Sequence, residues 1–185
     1  RILLTGDTGF KGSWLSIWLT ELGASVFGYS LAPKTDEDNF VKAGLNERIN
    51  HLDGDVRDSE ALLKYFLEVQ PDIAIHMAAQ ALVLSSYEDP IGTLETNIMG
   101  TAIFFEAVRK TKSVKVALNV TSDKCYHNNE SIWGYRESDP MGGKDPYSAS
   151  KGCSELITNS YYHSFFDNNS VRVASVRAGN VLGGG

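Results

Sequence analysis

Tyr147 and Lys151 stand four residues apart in Tyr147-Ser148-Ala149-Ser150-Lys151, at what reads as the opening of a helix. Residues at that spacing share a helix face, so an ammonium lies beside a phenol. A neighbouring cation favours the phenolate and draws the tyrosine pKa down toward working pH, as a general base requires. A second set is Ser122-Asp123-Lys124, a hydroxyl, a carboxyl group and an amine in succession after a Val-rich run. In isolation it is an ordinary polar turn. A third is Thr5-Gly6-Asp7-Thr8-Gly9-Phe10-Lys11-Gly12, set between the apolar Ile2-Leu3-Leu4 and a helix-like stretch. Strand, glycine turn and helix start in that order form a pyrophosphate cradle. Glycines let the backbone turn sharply and approach a phosphate, and the helix N-terminus offers unpaired N–H groups to its charge. The spacing is G-x-x-G-x-x-G, a variant of the commoner G-x-G-x-x-G.

These groups need a frame that brings them together. Strands are expected over 2–5, 25–30, 49–53, 72–76, 115–121 and 171–177, and helices over 13–22, 58–70, 91–111 and 147–166. Gly23 ends the first helix, Asp58 caps the second and Pro71 closes it. Alternating strands and helices imply an α/β fold in which a parallel sheet is covered on both faces. Right-handed crossovers lead to a doubly wound, Rossmann-like sheet of strand order 3-2-1-4-5-6, filling residues 1–185 as one dinucleotide-binding domain. Ligands then sit at the carboxyl ends of the strands, at the switch between the first and the fourth.

Candidate contacts follow those strand ends. The loop supplies Gly6, Thr8, Gly9, Phe10, Lys11 and Gly12. The second strand ends at Ser30 with no carboxylate where an NAD-binding domain usually carries one for the ribose 2′-hydroxyl. Ser30 offers a weaker hydrogen bond, and Lys11 or Lys34 can meet a 2′-phosphate, so NAD and NADP both stay open. Asp55, with Val56 beside it, can accept from an adenine amino group. Ala78 and Ala79, followed by Gln80, let the backbone come close to a cofactor. His76 is expected in the core, and no His/Cys/Asp/Glu set has metal-ligand spacing.

The net charge of -6 argues against nucleic acid or an anionic membrane surface as the main partner. No apolar stretch approaches a membrane span, no signal-peptide pattern opens the chain, and two cysteines make no disulfide framework. The expectation is a cytoplasmic enzyme. Because the sequence opens in a strand and stops at Gly183-Gly184-Gly185, it reads as a piece of a longer chain.

The glycine motif, Asp55, Ala78-Ala79, Asn97-x-x-Gly100-Thr101 and Tyr147-x-x-x-Lys151 together resemble the extended short-chain dehydrogenase/reductase family over the whole chain. Longer strings are similar to its CDP-glucose 4,6-dehydratase branch: Gly6 to Trp14, Val120 to Tyr126, Gly134 to Glu137, Asp139 to Gly143 and Arg177 to Val181. Asp7 stands where that branch often has His, and Leu84-Ser85 where it tends to be basic.

The resemblance implies NAD, a CDP-glucose-like substrate and a C-terminal substrate-binding portion beyond residue 185. It also implies roles. Tyr147 takes the 4-hydroxyl proton, aided by Ser122 and Lys151, as hydride leaves C4. Lys124, as a neutral amine depressed by burial or by Lys151, removes the C5 proton, and a protonated Asp123 releases the 6-hydroxyl as water. The hydride then returns to C6. Asn180 contacts the sugar nucleotide's phosphates. A homodimer is expected from Ile98, Ala102, Phe105, Leu156, Ile157 and Tyr161, which exceed what one sheet can cover. A 4-epimerase of the same family, or a non-catalytic dinucleotide-binding domain, stays open as an alternative.

Overall fold

A computed structural model describes residues 1–167 and 171–184. Its strands are β1 (Ile2–Thr5), β2 (Val26–Ser30), β3 (Asn50–Asp53), β4 (Ile73–His76), β5 (Val116–Ser122) and β6 (Arg172–Ala178). All pair in parallel, in the order β3-β2-β1-β4-β5-β6, which is the expected doubly wound order. Side chains of β1 alternate between the two faces. Leu3 joins Phe66, Phe104, Phe105 and Ala117 in the larger core, while Ile2 and Leu4 join Ile75 in the other. Burial on both sides explains why β1 is an unbroken apolar run. A third cluster, Val26, Phe40, Leu45 and Ile49, closes the β2–β3 side.

The helices are α1 (Phe10–Glu21), α2 (Asn39–Lys42), α3 (Leu45–Arg48), α4 (Ser59–Val69), α5 (Val83–Glu88), α6 (Pro90–Leu94), α7 (Gly100–Lys110) and α8 (Pro146–Tyr161). α1 begins at Phe10 rather than at 13, because Gly9 is its extended N-cap and the Gly9 carbonyl already accepts from Ser13 N at 2.8 Å. The end of the glycine motif and the first helical turn thus share Phe10, Lys11 and Gly12. Asp58 caps α4 as expected, accepting from Glu60 N at 3.1 Å and Ala61 N at 3.0 Å. Gly23 (φ 85°) turns the chain after α1.

The helix expected over 91–111 is interrupted. Between α6 and α7 lies a π-helical turn, Glu95–Met99, with the buried Asn97 at its centre. Asn97 Nδ2 donates to the Gln80 carbonyl (2.9 Å) and to Ser150 Oγ (2.8 Å), and its Oδ1 accepts from Gln80 N (2.9 Å). These bonds hold the wider turn open. The short α2, α3 and α5 were not expected, since so few residues carry no readable period. Thr5, His76 and Ser122 end β1, β4 and β5 on one rim of the sheet.

Candidate active site

The glycine loop crosses the rim at the end of β1. Gly6 is left-handed (φ 80°), and a Cβ there would stand 2.6 Å from the Ala78 nitrogen, so the loop packs directly on the backbone after β4. A Cβ at Gly12 would collide with the Gly6 carbonyl. Gly9 is different: its backbone is ordinary extended chain, and a Cβ would meet only the Gly6 oxygen, at 3.3 Å. Internal packing explains Gly6 and Gly12 but not Gly9, whose missing side chain leaves the helix end open. No side chain caps α1. An anion with the geometry of a pyrophosphate therefore fits this turn.

Beside the loop, Asp7 is wholly buried. Its carboxylate accepts from Ser30 Oγ at 2.9 Å and from His51 Nδ1 at 2.6 Å, and His51 Nε2 reaches Asp53 at 3.0 Å. A side chain at Gly28 would overlap the Asp7 carboxylate, which accounts for a glycine in mid-strand. The hydrogen bond to Asp7 raises the His51 pKa. Ser30 also meets Thr8, whose N–H donates to it at 3.3 Å and whose Oγ1 lies 2.9 Å away.

Asp55 lies near the adjoining strand end, but Arg57 grips both its oxygens (Nε at 3.0 and 2.9 Å, Nη2 at 2.5 Å) and holds its carboxyl below the usual range. Val56 is buried against Gly100. Ala78 serves the loop packing already described, and Ala79 is half-buried next to it. The Gln80 side chain is tied to Leu82 and Thr93. His76 has the expected core role. It bonds Thr5 Oγ1 at 2.8 Å and stacks on Phe104 at 4.8 Å, and burial drives its pKa down to about 3.

At the end of β5 the structure gathers Ser122, Asp123, Lys124 and Tyr147. Ser122 Oγ donates to Asp123 Oδ1 (3.1 Å) and accepts from Lys124 N (3.2 Å), and it stands close enough to the Tyr147 phenol to pull its pKa down. Lys124 Nζ lies 3.2 Å from both Asp123 oxygens. Lys124 is not buried, as expected of a depressed amine; its side chain is 45% exposed and ion-paired. Tyr147 also departs from expectation. Burial raises its pKa, and the opposing pulls come from Ser122 and Lys124, not from Lys151. Asn180 is exposed on the chain leaving β6, next to Gly179, which stands against Asp123.

α8 carries Tyr147, Lys151 and Glu155 one turn apart on one face. Asp145 fixes its start, accepting from Ser148 N at 2.9 Å and Ser148 Oγ at 2.6 Å, with Pro146 in the first turn. Lys151 Nζ is 6.0 Å from the Tyr147 ring centroid. Burial, then the charge of Lys11, lowers its pKa to about 8. Lys11 is itself lowered by burial. Sequence reasoning missed the Asp7–His51 pair, for which Gly28 inside a strand was a usable signal, and missed Asn97 as the brace between Gln80 and α8. Among the described residues no cluster of three or more His, Cys, Asp or Glu could hold a metal, and no helix is long and apolar enough to cross a membrane.

Comparison with known proteins gives the same picture. A CDP-glucose 4,6-dehydratase of Salmonella typhimurium is 52% identical over 100% of this chain and 53% of its own length. A dTDP-D-glucose 4,6-dehydratase of Dictyostelium discoideum is 32% identical over 99% of this chain and 44% of its own. The chain therefore spans about half the length of the curated relatives it matches. Among solved structures, a dTDP-glucose 4,6-dehydratase double mutant of Streptomyces venezuelae, with NAD and DAU bound, superposes with a TM-score of 0.78 at 25% identity, covering 95% of this chain and 55% of that one. The UDP-glucose 4-epimerase of Thermotoga maritima shares the fold, with a TM-score of 0.83 at 24% identity over 95% of this chain and 54% of that one. Since the family model for GDP-mannose 4,6 dehydratase matches residues 3–175, most of the chain, the chain belongs to that family of extended short-chain dehydrogenases/reductases.

Proposed function

We propose that residues 1–185 are the dinucleotide-binding domain of an NAD-dependent 4,6-dehydratase that converts CDP-glucose to CDP-4-keto-6-deoxyglucose. The observation that carries this reading is the meeting of Asp123 and Lys124 with Ser122 and Tyr147 at one strand end, in a chain 52% identical to a CDP-glucose 4,6-dehydratase. A 4-epimerase has no use for an acid and a base at those two positions. NAD, held by the loop residues, Ser30 and Lys151, supplies a hydride acceptor when bound.

Tyr147 accepts the proton of the sugar 4-hydroxyl, and Ser122, beside the phenol, relays and orients it. The C4 ketone acidifies the C5 hydrogen, which Lys124 removes. Asp123 protonates the departing 6-hydroxyl. An ammonium–carboxylate pair and the neutral amine–acid pair that this step needs differ by one proton across the 3.2 Å contact. Asp123 and Lys124 thus change roles without changing their joint charge. Asn180 is assigned to the substrate's phosphates, with the rest of its pocket supplied outside this chain.

We assign the complete protein to the cytoplasm, a reading supported by the free Cys125 and Cys153. We also assign it a homodimer through α7 and α8. Phe105 is not available for that face, being fully buried and stacked on Tyr161 at 5.7 Å, whereas Leu156 stays 60% exposed. The test of the activity is incubation of the full-length protein with CDP-glucose and NAD. Loss of one water from the sugar nucleotide is expected. A 4-epimer of unchanged mass would establish the epimerase instead, and dinucleotide binding with no sugar-nucleotide affinity would leave only the binding domain.

A further inference from the structure

The carboxylate missing from the end of β2 is present one step behind it. Ser30 occupies the strand end that, in dinucleotide folds, carries the acidic residue for the ribose 2′-hydroxyl. Its hydroxyl has one proton, and that proton points at Asp7 Oδ1, 2.9 Å away. Asp7 is 0% exposed, reaches this position from the glycine loop, and fits only because residue 28 has no side chain. The neighbouring Thr8 hydroxyl is similarly committed. Its proton has two fixed acceptors in reach, Ser30 Oγ and the Leu31 carbonyl, each at 2.9 Å. Ser30 thus spends its proton on Asp7 and turns its lone pairs to Thr8. The hydroxyl left to face a ligand is that of Thr8, whose own proton is taken by Ser30 or Leu31 and which offers lone pairs, with the Asp7 carboxylate behind Ser30.

Such a surface receives a hydrogen bond and has none to give. A ribose 2′-hydroxyl can donate into it. A 2′-phosphate monoester, an acceptor with up to two negative charges, meets lone pairs instead of donors. We propose that Asp7, acting through Ser30, is the positioning residue that selects a dinucleotide with a free 2′-hydroxyl over one bearing a 2′-phosphate. The inference rests on the dinucleotide-binding reading above and adds the reason for NAD over NADP. It also gives a use to an acidic side chain inside a loop built to face phosphate, where a carboxylate with no partner would be repulsive.

The test is titration of the full-length protein with NADH and with NADPH, followed by quenching of protein fluorescence, with thermal melting as a control for folding. The wild type is expected to prefer NADH by about 10–100-fold, the range of one charge-assisted hydrogen bond lost to an unpaired group. Asp7→Asn should reduce that preference by about 10-fold, because an amide can donate to Ser30, turn the Ser30 proton to Thr8 and so free the Thr8 proton for a ligand. A purely structural role would weaken both dinucleotides alike and keep their ratio. Asp7→Asn combined with Ser30→Asp returns a carboxylate to the strand end and should restore the preference. If Asp7→Asn fails to fold, Ser30→Ala decides, with a loss of NADH affinity and of preference expected. A folded Asp7→Asn, or failing that Ser30→Ala, with the wild-type ratio overturns the proposal, as does a wild type that binds both dinucleotides equally. A wild type that binds neither overturns the dinucleotide reading as well.

Discussion

Two lysines near Tyr147 carry different chemistry, and their surroundings separate them. Lys151 is buried beside Lys11, and both burial and that second charge favour its neutral form, to a pKa of about 8. Removing the Lys11 charge must favour the protonated form, so Lys11→Met should raise the Lys151 pKa. Titration of Cε-labelled lysine by NMR would follow this directly, and an unmoved midpoint would take Lys11 out of Lys151's surroundings. Lys124 instead faces solvent and Asp123. Lys124→Ala should still oxidise C4 but stall before water loss, slowed about 10²–10⁴-fold, without solvent deuterium entering C5. Asp123→Asn should retain C5 exchange while elimination slows. Wild-type exchange in Lys124→Ala would leave that amine with no part in the chemistry.

At the scale of elements, the β1–α1 turn is a packing joint and, in the function proposed, also the binding surface for the dinucleotide. Gly12 is needed for packing, since any Cβ overlaps the Gly6 carbonyl, and Gly12→Ala should lower the melting temperature markedly. Gly9 is not. Its extended backbone suits a β-branched residue, and only the Gly6 oxygen is near. Gly9→Val should therefore still fold, with a small loss of stability where its Cβ presses on the Gly6 oxygen at 3.3 Å, and lose dinucleotide binding, because its methyls project where a phosphate would approach the helix end. Calorimetric titration with NADH distinguishes the two, and undiminished binding in a folded Gly9→Val would count against the loop as the phosphate site.

Across the whole molecule, α8, which carries Tyr147 and Lys151, is fastened to the last strand by an ion pair. Glu155 on α8 accepts from Arg177 Nη2 and Ser175 Oγ on β6, both at 2.9 Å, and from Thr121 on β5. Burial pushes the Glu155 pKa up, but Arg177, Thr121 and Ser175 together outweigh it and leave the carboxyl below its usual range. A lowered carboxyl pKa adds stability that is present above the unfolded-state pKa and is lost as pH falls through the folded value. Arg177→Met strands a buried carboxylate, a loss of about 3–5 kcal/mol, and should remove that part of the acid sensitivity. Denaturant unfolding at neutral and at acidic pH tests both effects. The proposed dimer belongs to this scale too: Leu156→Glu should shift the full-length protein to a monomer in sedimentation, and a wild type already monomeric at micromolar concentration would rule the interface out.

Local chemistry was sufficient for much of this. The apolar run of β1, the cap at Asp58, the stop at Gly23 and the strand–glycine–helix order are signals that act within a few residues, so the doubly wound sheet was legible in the sequence, while the joining of Ser122, Asp123 and Lys124 to Tyr147 was legible only through the family resemblance. What the tertiary structure decided depends on distant neighbours. Only the pairing of β1, β2 and β3 brings Asp7, Gly28, Ser30 and His51 to one point. Only packing determines how far water is removed from Tyr147, and that desolvation raises a pKa which helix spacing alone suggested Lys151 would lower. The π-helical turn at Asn97 likewise answers to partners on the β4 loop and α8, which no periodicity within residues 91–111 encodes. Spacing along a chain determines which groups can share a face; burial and the charges brought in from other elements determine what those groups do there.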